Sequence, residues 1–476
     1  MLFPKNISAS EKELLNQHVI VISKSGKGKD PVSLKNIRSD SLFREKIKFI
    51  VANIEQKVAN NEVDRVVIFL HGGLTNYRKT RKRALELTDA MLTDRVYPIF
   101  VSWNSGTGSS YLEHLVLIRQ GQKSLIFGLL SSPLVLTSDA ASGLAMSPLS
   151  MFSTIKNDLT TIASDYPSIA DKCSHSIATV YNKQEYGKNP LKINEGTDKR
   201  TVGSKLLRGC MYTITFPFKV ATEPILTAGG KPSWDIMLRR TQALYRKEAE
   251  FDIRHIRKDS AKVAKHLHET PTGALSVAIE ELLKIQTLTD TIRNVEVDLV
   301  AHSMGAIIAN QLLAKYTTFK FDNIVYMGAA CSIKEFETMT VPYLMVNNRT
   351  KFFNLSLHPI AERRESNALD IVIRGSLLEW IDQLFTTPAS LKERTMGKWT
   401  NLMQTAHIFP IEIRDQLFFR CFDVGVDKKA QPQKHGDFSD FSFWEKDFWW
   451  PEDIFGNNII RLKSADRKAF RFVPKK

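Results

Sequence analysis

The stretch VEVDLVAHSMGAIIANQLL, residues 295–313, decides the fold. A run of β-branched and apolar residues ends at Val300 and passes through Ala301-His302-Ser303-Met304-Gly305 into a helical pattern over Ala306 to Ala314. Strand, sharp turn and helix in that order carry the central side chain of the turn, Ser303, to the carboxyl edge of a parallel sheet, exposed as a nucleophile. So tight a turn needs small residues two positions before and after the serine, and Ala301 and Gly305 meet that need. The helix that starts beside Ser303 turns its positive dipole end and free N–H groups toward any oxyanion formed there. A serine that merely caps a helix would fit the pentapeptide alone; the agreement of all three elements favours the nucleophile.

Outward from this segment, short buried-strand patterns occur at Val19–Ile22, Val66–Leu70, Ile99–Trp103 and Ile324–Met327, with further candidates at Phe352–Leu357 and Leu417–Phe422. Helical patterns lie between them at Ser41–Val58 and Thr80–Leu92. Strands that alternate with helices predict an α/β chain, with a mostly parallel, doubly wound sheet covered on both faces. The strand ending at Trp103 and the one starting at Val295 are too far apart for a single crossover, so a large, largely helical insertion is expected between the fourth and fifth core strands. Its first part, Gly106–Met151, is rich in Gly, Ser, Leu and Pro; Tyr181–Lys205 reads as loop, and Trp234–Leu283 as long helices. In the last part Met237, Leu244 and Phe251 form a core-facing stripe beside Arg240, Lys247 and Arg254, a pattern expected of a solvated helix edge.

The 476 residues, 43% hydrophobic and 25% charged, describe an ordinary globular chain rather than a collagen, a coiled coil or a disordered protein. Lys and Arg outnumber Asp and Glu by 66 to 51, a formal charge of +15 that favours anionic partners. No zinc-finger spacing or RNP-like motif accompanies it, so nucleic acid is not expected. Cys173, Cys210, Cys331 and Cys421 form no CxxC, and no HExxH occurs, so neither a metal nor another cofactor is expected. The cysteine usage and the lack of a secretory pattern at the N-terminus point to the cytoplasm. The apolar stretch Leu125–Phe152 is interrupted by Pro133, Asp139 and Pro148, which argues against a spanning helix and leaves peripheral contact with a membrane. Oligomeric state is not legible. Ser23–Lys29 lacks the first glycine and the hydroxyl residue of a phosphate loop and reads as a basic turn, and the aromatic run Phe438–Trp450 reads as core packing.

A second motif follows the strand Val66–Leu70. In His71-Gly72-Gly73-Leu74, backbone N–H groups can point into the crevice at the strand ends, with Gly73, or less securely Leu74, supplying one oxyanion donor and Met304 the other. Together the two motifs resemble the α/β-hydrolase superfamily on its lipase and serine-esterase side, over roughly Glu62–Gly106 and Asp290–Trp450. The resemblance implies a hydrolase core in two parts, 1–105 and 285–476, around an insertion or cap region at 106–284, whose apolar part, Gly106–Met151, is expected either to fold over the strand ends, where open α/β sheets bind ligands, or to form an accessory layer remote from the site. It also implies the chain order serine, acid, histidine. His435, in the loop after Leu417–Phe422, is then the expected base, with His407 as its rival. Glu362, which follows the strand starting near Lys351, is the expected acid, although an ion pair with Arg363 or Arg364 explains it nearly as well; Asp370, Asp382 and Glu335 are the alternatives. The implied activity is acyl transfer from a small-molecule or lipid-like ester or thioester. A hydrolase-fold scaffold that binds a membrane or a protein, and an amide or peptide hydrolase, are the competing readings.

Overall fold

A computed structural model describes residues 7–73, 75–119, 122–123, 125–165, 191–247, 272–289, 295–365, 375–451 and 471–473. Among them nine strands form a mostly parallel sheet, with a large helical insertion after the fourth. The chain divides into two compact units, Met1–Ala145 with Ile225–Val297, and Met146–Pro224 with Asp298–Lys476.

In the first unit the strands β1 (Val19–Ile22), β2 (Gly28–Lys29), β3 (Arg65–Leu70) and β4 (Val96–Ser102) lie in the order β2-β1-β4-β3. Only β2 is antiparallel to its neighbour. Val66 to Leu70 are all buried, as a strand covered on both faces requires. The helix Asp40–Ala59, capped by the Ser39 side chain on the Leu42 N–H, buries Phe43, Ile47, Ile50, Ile54 and Val58 along one stripe. β4 begins three residues before the expected Ile99 and contains Pro98. The ladder to β1 starts only at Phe100, and the Pro98 carbonyl accepts the buried His18 Nδ1–H at 2.9 Å. The proline therefore sits where no β1 partner asks for its missing N–H. Burial lowers the His18 pKa to about 4, so the ring is neutral.

The insertion opens with the helix Thr107–Val116 and a small hairpin, β5 (Ile118–Arg119) with β6 (Gln122–Lys123). A long helix, Leu125–Asp165, follows. No helix among the described residues is long and apolar enough to cross a membrane. The stretch expected to be loop contains β7 (Lys192–Asn194), and a second long helix, Val202–Ala243, starts before its end. A three-residue edge strand is too short to leave a periodic signal. Met237 and Leu244 are buried as expected, while Phe251 and Arg254 lie outside the described residues. Arg240 is a correction. Only 2% exposed, it donates to the Asn104 carbonyl, Ser110 Oγ and Glu113 Oε2, so it is a buried cross-link rather than part of a solvated edge.

β8 (Glu296–His302) leads into the second unit, where β9 (Asn323–Met327), β10 (Lys351–Ser356) and β11 (Leu417–Cys421) follow in parallel and β7 pairs with the outer edge of β11. Trp444, Trp449 and Trp450 are buried, and Phe353 stacks on Phe418 and meets Trp449, so the aromatic run is core.

Candidate active site

The chain leaves β8 at His302 and enters the helix Gly305–Lys315 after only two residues. Ser303 takes up the reversal at φ +53°, a left-handed conformation that costs a side-chain-bearing residue about 1–3 kcal/mol. The surroundings hold it there. Its N–H donates to the Met327 carbonyl at 2.9 Å, and its own carbonyl accepts from Ala330 and Ala306 at 3.0 and 3.1 Å. The turn is thus tied to the end of β9 and to the first turn of its own helix.

His435 opens a short 3-10 turn at the end of the loop that follows β11. Two glutamines pin that loop: Gln431 Oε1 accepts the Asp423 N–H, and Gln433 bridges the Gly425 N–H and the Asp423 carbonyl. The His435 backbone is held on both sides, with its N–H on Glu365 Oε2 at 2.8 Å and its carbonyl accepting from His302 Nε2 at 2.9 Å. Its ring Nε2 lies 2.8 Å from Ser303 Oγ. Serine and histidine, 132 positions apart, therefore meet at hydrogen-bond distance within one unit. Ser303 is 1% exposed and His435 6%, so the hydroxyl expected to stand exposed is buried beneath the imidazole. Burial, and secondarily the neighbouring His302, hold the His435 pKa well below its usual value and keep the ring neutral, the form that can take a proton. Gly328, at φ +52°, lies flat against the ring; a Cβ there would come within 3.0 Å of both Cε1 and Nδ1. Among the described residues His435 Nδ1 has no hydrogen-bond partner.

The carboxylates are placed as follows. Glu362 is 1% exposed, accepts from Ser376 Oγ, and is pushed up to about 8 by burial. Asp382 accepts from the Thr395 N–H and from Asn401 Nδ2, both at 2.8 Å, with Lys398 Nζ 3.5 Å away. Glu335 closes a capping box with Ser332, and Asp370 lies outside the described residues. The carboxylate bonded to His435 is one the sequence reading passed over, Glu365, at the C-cap of the helix Pro359–Arg364. Burial raises it to about 7 even though the His435 N–H favours its anion. In Glu362-Arg363-Arg364-Glu365 nothing local separates the two acids; only the direction in which the short helix ends turns one toward His435. His407 is exposed, and its carbonyl accepts from Arg414 Nη2.

Met304 is the buried N-cap of the helix Gly305–Lys315. Gly73 follows β3 in the first unit, in a loop ordered by His71: its Nδ1 donates to the Gly72 carbonyl, its Nε2 accepts the Trp103 N–H, and its ring stacks on Trp103. Leu74 lies outside the described residues. Among the described residues no cluster of His, Cys, Asp and Glu could hold a metal ion. The chemistry available is that of a buried serine hydroxyl beside a neutral imidazole, which is proton transfer coupled to nucleophilic attack. Comparison with protein-family models, curated sequences and solved structures finds no match to this chain.

Proposed function

We propose that the chain is a serine hydrolase of α/β-hydrolase type that cleaves an ester or thioester with an acyl or lipid-like character. The observation that carries this reading is the 2.8 Å contact between His435 Nε2 and Ser303 Oγ, made by a serine held at φ +53° between a strand and a helix. In the proposed reaction Ser303 Oγ attacks the carbonyl carbon and its proton passes to His435 Nε2. The tetrahedral intermediate collapses, and the leaving alkoxide or thiolate takes that proton. Water then attacks the acyl-serine through the same imidazole, releasing the acid and restoring Ser303. The N–H of Met304, at the start of the helix that follows Ser303, serves the oxyanion.

For this chemistry Nδ1 must carry a proton and have an acceptor. We assign that role to Glu365 ahead of Glu362, because Glu365 already bonds the backbone of the same histidine, whereas Glu362 is engaged by Ser376. Asp370 is the remaining choice. The protein would work in the cytoplasm in peripheral contact with membrane, a reading supported by its excess of basic residues and its apolar insertion. The scaffold reading is weakened because a binding protein has no use for a strained serine under an uncharged histidine. The test is turnover of acetyl and long-chain p-nitrophenyl esters and of an acyl thioester by the parent and by Ser303→Ala. Turnover lost in the variant supports the reading; equal rates, or none in either protein, overturn it.

A further inference from the structure

The long helix Leu125–Asp165 packs the polar side of its first turns, from Gly128 to Asp139, inward. Gly128 lies so close to the helix Thr107–Val116 that a Cβ would come 1.8 Å from the Val116 carbonyl oxygen. One turn on, Ser132 Oγ donates to the Leu115 carbonyl at 2.8 Å. Two turns further, Asp139 accepts from Tyr111 OH and His114 Nε2, each at 3.2 Å. At spacings of four and seven residues these three share one side of the helix. The opposite side carries Ile126, Phe127, Leu129, Leu130, Leu134 and Leu136, all more than half exposed, with Leu130 and Leu134 at 75%. Successive residues advance by about 100° around the helix, so these six cover roughly half its circumference. Asp139, the one charged residue from Leu125 to Ser150, is turned inward. A water-facing helix normally has the reverse pattern, and a contiguous apolar face of this kind marks an interaction surface.

We propose that this face is a membrane-docking surface, which lies in the interface of an anionic bilayer without crossing it. Two observations choose lipid over a second protein surface. The face is apolar but for Thr137, whose Oγ1 donates to the Pro133 carbonyl of the same helix at 2.8 Å. The net charge of +15 favours anionic headgroups, as in interfacial helices that combine an apolar face with an excess of basic residues. The inference deepens the peripheral membrane contact and the lipid-like substrate proposed above and rests on that reading for the identity of the substrate. The binding itself does not involve Ser303.

Flotation of the full chain with phosphatidylcholine vesicles, with and without phosphatidylserine, tests it. The parent and Ser303→Ala should float equally, better with phosphatidylserine and less well at high salt. Leu130→Glu combined with Leu134→Glu should lower partitioning about tenfold or more, as expected for two leucines that no longer leave water. Both side chains are exposed, so the fold should survive, as an unchanged melting temperature would verify; Leu130→Ser with Leu134→Ser should give a smaller loss in the same direction. A parent that stays at the bottom with every vesicle overturns the proposal, and so does a glutamate variant that floats like the parent. A face that instead joins two copies would give a dimeric parent, a monomeric variant and no flotation. Flotation with no ester turnover would spare the docking surface and sink the hydrolase reading.

Discussion

The region around Ser303 and the outer face of the helix that begins at Leu125 break the same rule in opposite directions. In the unit that holds Ser303 the chain buries His435, Glu362 and Lys398 and half-buries Glu365. On the helix it leaves leucine, isoleucine and phenylalanine in water. Each departure lowers stability relative to a conventional sequence, since buried ionisable groups lose hydration and exposed apolar groups forfeit the gain of burial. Such departures from pattern and packing concentrate where function overrides folding. On the proposed reading the two regions have separate tasks, proton transfer for the buried polar cluster and a contact for the exposed apolar face.

The sharpest way to break the first half of the comparison is at the imidazole. His435→Ala should lower kcat by about 10³- to 10⁶-fold, and adding Ser303→Ala should cost almost nothing more, because members of one catalytic unit are not additive. Losses that multiply in the double variant would mean that the two residues do not act together. Gly328→Val is expected to follow, with a loss of about 10²-fold or more. Its side chain would push His435 from its place against Gly328, and the backbone conformation is one that valine resists. A Gly328→Val enzyme with parental kcat would show that the ring does not need its present position.

Glu365 offers a sharper test than a bare rate. Its carboxyl sits at about 7, and a proton there would remove the acceptor proposed for Nδ1, so kcat/KM should rise as pH increases through that value. His435 cannot supply this limb, because its own pKa lies well below 6.5. Glu365→Gln should lower the rate about 10- to 100-fold and abolish the limb. A limb that survives in Glu365→Gln and vanishes in Glu362→Gln would move the acid to Glu362.

The smallest expected effect is on stability. Burial raises Glu362 from 4.5 to about 8, so the folded state holds its proton more tightly than the unfolded state. The stability linked to this group is fully present below pH 4.5 and is lost as pH rises through 8. Glu362→Gln should therefore melt with the parent in acid and gain about 1–3 kcal/mol on it above the raised pKa. A gap that is the same in acid and in base would remove burial as the cause.

Much of this architecture was legible because its signals are local. β8, its turn and its helix could be read from Val295 to Ala314, and the strand runs fell within a few residues of those observed, since buried parallel strands are continuous apolar runs. The pairing of Ser303 with His435 came from chain order and loop length. What escaped depends on tertiary geometry. β7 is three residues long, Arg240 finds its partners across more than a hundred positions, and Glu365 differs from Glu362 only in where a short helix ends. The apolar run from Leu125 was visible, but the side it presents to water follows from Gly128, Ser132 and Asp139, whose contacts no sequence pattern announces.

The central claim, that Ser303 is a nucleophile activated by His435, is tested most directly by treating the full chain with a fluorophosphonate and locating the adduct by mass spectrometry. The account predicts one phosphonyl group per chain, attached to Ser303, absent from Ser303→Ala and formed far more slowly in His435→Ala. A parent that remains unmodified, or an adduct at a different residue that persists in Ser303→Ala, would contradict it.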